Sequence, residues 1–97
     1  MAKGHFSPEP PGAMPSVQQA LAAHQQGRFA EAEQIYNAIL GVDPRHFDAL
    51  HLFGVLRHQQ GHSVEALRLV AAALRAAPRS PDALSNHGVI LNALKRH

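Results

Sequence analysis

The chain of 97 residues contains no cysteine, no tryptophan and one tyrosine. Without thiols there is no disulfide framework, no thiolate metal site and no cysteine nucleophile, and the composition leans towards a cytoplasmic protein. Charge of either sign is scarce, with nine Lys and Arg against seven Asp and Glu for a net charge of +2. That balance does not argue for nucleic acid. The arginines Arg68, Arg75 and Arg79 also lie in a stretch with no aromatic side chain on which a base would stack. Apolar runs fall far short of the roughly 20 residues needed to cross a bilayer, so no membrane partner is expected. The segment from Met1 to Ser16 has one lysine and no apolar core, so no secretory signal is expected. No segment alternates apolar and polar residues over four or more positions while avoiding helix formers, so no strand is expected.

What the chain does have is an echo. His58-Gln59-Gln60-Gly61 repeats His24-Gln25-Gln26-Gly27 at an offset of 34 residues. The same register relates Ala20 to Gly54 and Gly88, Ala32 to Ala66, Leu40 to Leu74, Pro44 to Pro78, and Ala49 to Ala83. Small, bulky and helix-breaking residues recur together, which marks a stacked helical repeat in which each unit completes its core with its neighbours.

Periodicity predicts five helices. The first covers about 15–26 and stops at Gly27. The second, about 29–42, carries Phe29, Ala32, Ile35, Tyr36, Ile39 and Leu40 along one side and ends before Pro44. A third, about 47–60, aligns Leu50, Phe53, Gly54 and Arg57 and closes at Gly61. The fourth, about 63–76, is expected to bury Val64, Leu67, Val70, Ala73 and Leu74 before Pro78. Ser80-Pro81-Asp82 opens the fifth with a hydroxyl cap, a proline in the first turn and an acid at the positive end of the dipole. Residues 1–14, with Pro8, Pro10 and Pro11, read as a disordered leader. Residues 15–97 read as one domain of two repeats, about 13–46 and 47–80, and a half repeat, 81–97.

These residues resemble the tetratricopeptide repeat family, whose 34-residue pattern is W-x2-L-G-x2-Y, then A-x3-F, then P. The second unit answers with Leu50, Phe53, Gly54 and Arg57, then Ala66 and Val70, then Pro78. The first has Ser16, Gln19, Ala20 and Ala23, then Ala32 and Tyr36, then Pro44; a third begins with Leu84, His87, Gly88 and Leu91. The resemblance implies an all-α fold of antiparallel helix pairs stacked as a right-handed superhelix. Ala20, Gly54 and Gly88 are then the places where paired helices cross, and only a small residue lets the axes approach to about 8–10 Å. Ser16 and Gln19 weaken the first helix as a core element, Arg57 is expected to bury its stem and send its guanidinium to water, and His87 to be half-buried and hydrogen-bonded.

The resemblance also implies a function, namely binding of a peptide or partner helix in a concave groove lined by the first helix of each pair. The residues left over from packing on those helices are Val17, Gln18, Leu21, His24 and Gln25; then Asp48, His51, Leu52, Val55, His58 and Gln59; then Ser85, Asn86, Val89 and Asn92. Leu21, Val55 and Val89 form an apolar row between amide and imidazole donors, which suits a peptide with apolar anchors. The lysines and asparagines of a carboxylate-clamp domain are missing from these positions. The phrase from Asp82 to Val89 resembles bacterial arrays attached to O-linked glycosyltransferases, so the alternative is the leading recognition segment of such an enzyme. Leu84, Gly88 and Leu91 are expected to face a helix this chain does not contain and to support weak self-association.

Neither catalysis nor a cofactor is expected. Glu31, Glu33, Asp43, Asp48, Glu65 and Asp82 sit at helix ends or outer faces, and Glu65 is placed to pair with Arg68. Eight histidines raise the question of metal. His51 and His58 are two turns apart, about 10 Å, too far to share one zinc. His58 and His62 have better spacing, but Gly61 breaks the helix between them, so no metal site is expected.

Overall fold

The computed structural model describes residues 16–95. The expected leader at 1–14, the proposed helix start at Pro15 and the last two residues lie outside that range. Five helices follow one another, α1 (Val17–Gln25), α2 (Phe29–Val42), α3 (Phe47–Gln59), α4 (Ser63–Ala76) and α5 (Pro81–Lys95), and no strand occurs among the described residues. The all-α expectation and the five helices are as the periodicity predicts.

The repeated tetrapeptide is a helix stop used twice. Gly27 and Gly61 have φ of 81° and 87°, a left-handed conformation that costs glycine nothing. At α1 the Arg28 N–H donates to Ala23 O and the Gly27 N–H to His24 O; at α3 the His62 N–H donates to Arg57 O and the Gly61 N–H to His58 O. Both sets are Schellman closures, which satisfy carbonyls the helix would leave bare. The ends of α2 and α4 use the other device, with Pro44 and Pro78 in turns closed by His46 N–H to Asp43 O and Ser80 N–H to Ala77 O. Ser80 Oγ caps α5 by accepting from the Ala83 N–H, as the sequence predicts. Ser16 and Gln19 have a role their weak core character concealed. The Gln19 N–H donates to Ser16 Oγ and the Ser16 N–H to Gln19 Oε1, a reciprocal capping box that starts α1.

Packing divides into a larger and a smaller core. Ala20, Ala23, Ala32, Tyr36, Ile39, Ala49, Phe53 and Leu56 join α1, α2 and α3, with Val17, Ile35, Leu40, Leu52 and Leu69 packed against them. Tyr36 stacks on Phe53 with ring centroids 5.5 Å apart, and burial pushes its hydroxyl pKa up to about 12. The smaller cluster of Ala66, Val70 and Ile90 ties α4 to α5, flanked by Leu67 and Leu94. Gly54 is the crossing of α3 and α4: a methyl there would lie 2.6 Å from Val70 Cγ2 and 3.3 Å from Ala66 O.

Four expectations are corrected. Val64 is 57% exposed, because it lies about 200° around the helix from Ala66, at 100° per residue, and Ala66 faces the crossing. The Arg57 guanidinium does not go to water. It stacks over Phe53 at 5.0 Å, and Nη1 lies 3.4 Å from Glu33 Oε2 on α2. Arg57 Nε lies 3.3 Å from Glu65 Oε2, so Glu65 pairs across the helix crossing rather than with Arg68. That contact is charge attraction by distance, without the alignment of a hydrogen bond. Last, His87 is half-buried, but its ring enters no hydrogen bond among the described residues.

Candidate partner-binding face

The face is built on α1, α3 and α5. Helix α3 touches both of the others, so the first helix of each unit lies beside its counterpart in the next. Two side-chain bonds fix this stacking, each spanning 35 residues. His24 Nε2–H donates to Gln59 Oε1 at 2.7 Å, joining α1 to α3. Asn86 Nδ2–H donates to His51 Nε2 at 2.8 Å, joining α3 to α5. Four of the expected groove residues are thus engaged with each other, which leaves fewer amide and imidazole groups open to a ligand than sequence reading supposes. His58 is also engaged, its Nδ1 lying 3.4 Å from Ser63 Oγ. Gln25 and Asn92 are exposed.

His51 is the most enclosed of these groups, at 8% exposure. Burial lowers its pKa, outweighing the opposite pull of Asp82 and Asp48. The neutral ring is also what its bond requires, since a protonated imidazole has no lone pair to accept from Asn86.

Apolar groups on the same face differ in exposure along the stack. Val17 and Leu52 lean into the larger core, Leu21 and Val55 are half-buried, and Val89 is exposed. Asp48 and Ser85 are exposed at the helix starts. At that end of the face a cleft of about 380 Å³ opens between Val17 and Gln18 of α1, Ile39 and Val42 of α2, and His46 and Asp48 at the start of α3. Sequence reading finds Val17, Gln18 and Asp48 but misses the α2 wall, because second-helix residues carry no groove signature of their own. An apolar Val42 in the last turn, followed by Asp43, is the one available signal.

The face of α5 turned away from α4 is only partly covered by the described residues. Ala83 and Ile90 are buried and Leu94 packs beside them, whereas Leu84 is 50% exposed, Leu91 is half-buried and a methyl at Gly88 would meet nothing within 4 Å. Among the described residues no three metal-binding side chains converge, and no helix is long and apolar enough to cross a membrane.

Helix pairs of 34-residue period, crossing at a small residue and closed alternately by glycine and proline, define an all-helical repeat protein. Residues 23–86 match the tetratricopeptide repeat, and the chain belongs to that family. Repeats of this family in general mediate protein–protein contacts and are not catalytic. No curated protein matches the chain.

Proposed function

We propose that the chain binds a peptide or partner helix along the face of α1, α3 and α5, and that it has no catalytic activity of its own. The observation that carries this reading is the pair of inter-unit bonds, His24 to Gln59 and His51 to Asn86. They hold three helices side by side at fixed spacing, so the row of Leu21, Val55 and Val89 is preorganised, and a ligand need not supply the ordering entropy. The curved groove of a superhelical array is the shape this reading uses. The test is chemical-shift mapping on the full chain with a partner captured by pull-down. Perturbations at Leu21, Val55 and His58 are expected; perturbations confined to Arg68 and Arg75 would move the site to the outer helices and overturn the reading.

A second reading rests on the open crossing at Gly88. With Leu84 half-exposed beside it, two chains bringing these faces together would bury four leucines. Full burial of an exposed leucine is worth about 1.5–3 kcal/mol, of which these partly covered side chains have only a part left to gain, while association costs about 4–15 kcal/mol. A weak, concentration-dependent dimer is therefore expected. Sedimentation over a wide concentration range should show association in the parent and none in a Leu84→Glu, Leu91→Glu variant. A parent that stays monomeric throughout refutes self-association.

A further inference from the structure

We propose that the cleft where the start of α1, the end of α2 and the start of α3 meet anchors a peptide carrying an apolar side chain next to a lysine or arginine. The proposal rests on the partner-binding reading of the face, because Val17 and Asp48 belong to both, and it specifies the chemistry of the partner. The cleft holds about 380 Å³, near the lower end of the roughly 300–1,000 Å³ of ligand pockets. That volume suits one or two side chains rather than a bulky ligand.

Its walls ask for an apolar group. Val17 and Ile39 reach it from the core side, and Val42 stands 68% exposed at the end of α2. The rim asks for a cation. Asp43 Oδ1 already accepts from the Arg45 N–H, and the second oxygen of that carboxylate has no partner among the described residues. Asp48 enters no ion pair or side-chain hydrogen bond among the described residues. Two carboxylates thus border the cleft, and among the described residues no lysine or arginine lines it.

The groups that would favour an anion here are already engaged. Both α1 and α3 begin at the cleft, and a helix start attracts negative charge. The capping box of Ser16 and Gln19 occupies the first, and His46 Nδ1, accepting from the Ala49 N–H, occupies the second. The neighbouring arginine is held elsewhere: Arg45, in the turn between α2 and α3, lines a different cleft of about 390 Å³ together with Arg75 and Leu50. Opposite charges therefore border two clefts on either side of the Pro44 turn, and a basic peptide is drawn to one and repelled by the other.

The test titrates the full chain, isotopically labelled, with capped tetrapeptides of sequence alanine-leucine-lysine-alanine and alanine-leucine-glutamate-alanine. The lysine peptide is expected to shift the amides of Val17, Val42 and Asp48 and to bind more tightly than the glutamate one. Asp43→Asn and Asp48→Asn, which keep shape and the acceptor for Arg45, should each weaken the lysine peptide about 2–5-fold, the range of exposed ion pairs. The preference should shrink as salt rises. Equal affinity for the two peptides, or shifts at Leu50 and Ala72 instead, overturns the proposal. So does a shift of Val17 and Val42 in a Lys3→Ala, Phe6→Ala chain without peptide, because the cleft's occupant is then the chain's own amino-terminal segment. If the tetrapeptides fail while a captured partner still perturbs Leu21 and Val55, the partner-binding face stands and only the anchor is lost.

Discussion

A methyl group added at Gly54 would lie 2.6 Å from Val70 Cγ2, whereas one added at Gly88, in the same register one unit later, would meet nothing within 4 Å. The two glycines are alike in sequence and differ only in what their helix has been given to pack against. Around Gly54, α4 supplies Ala66, Leu69 and Val70, and the contact involves a backbone carbonyl that has no rotamer to change. Around Gly88 no second helix is supplied among the described residues. A small residue at a repeat crossing is therefore a requirement of the pair and not of the helix that carries it. The same difference separates the larger core, shared by α1, α2 and α3, from the smaller one under α5.

The largest effect that would test this contrast is Gly54→Leu. Overpacking a core costs about 1–3 kcal/mol, and the upper end is expected where backbone blocks relaxation; thermal melting should show a loss of that size. A variant as heat-stable as the parent would disprove the crossing. Next comes the hub that joins the crossing to the first unit. Arg57→Met keeps an apolar stem over Phe53 but takes the cation from Glu65 and leaves Glu33 with only the bond from Gln60 Nε2, and is expected to cost about 1–2 kcal/mol, between the limits for exposed and buried ion pairs. Arg28→Ala, which breaks only the exposed 3.4 Å pair with Glu31, should change stability by less than about 0.5 kcal/mol. Urea denaturation of both variants decides whether Arg57 is more than a surface charge.

Gly88→Ala should act in the opposite sense to any substitution at Gly54. It lies within α5 at an ordinary helical φ, so alanine is expected to stabilise by about 0.4–1 kcal/mol through the unfolded chain and helix propensity. A loss of stability would mean that a neighbour already fills the Gly88 face. The smallest effect concerns the joint between α3 and α5. Burial lowers the His51 pKa below its unfolded value of 6.5, so the neutral ring contributes stability that is fully present above pH 6.5 and is lost as pH falls from there through the folded value. The urea midpoint should drop on acidification in that window, and His51→Gln should flatten the part of the drop due to this group. An unchanged pH profile in the variant would show that the joint does not depend on the neutral imidazole.

Most of the helical scaffold was legible because its causes are local. Gly27 and Gly61 stop helices through their own backbone freedom, Pro44 and Pro78 through a missing N–H and a bulky ring, and Ser80 through a hydroxyl one turn from the N–H it caps. The capping box of Ser16 and Gln19 is equally local, a serine followed three residues later by glutamine, but sequence reading passed over it by weighing both residues only as core positions. Spacing of 34 residues carried the family and the identity of the crossing residue, since a repeat imposes the same steric demand at each turn of the stack.

Tertiary structure alone decided which polar groups meet. His24 with Gln59, His51 with Asn86, and Arg57 with Glu33 and Glu65 are encounters between separate helices, and helical periodicity fixes the face of a side chain without fixing what stands opposite. Val64 shows the same limit, an apolar residue left outward because the crossing chose Ala66. The cleft bounded by Val17, Val42 and Asp48 exists only where three helix ends converge. Its chemistry follows from distances across the fold, to which no single stretch of sequence is committed.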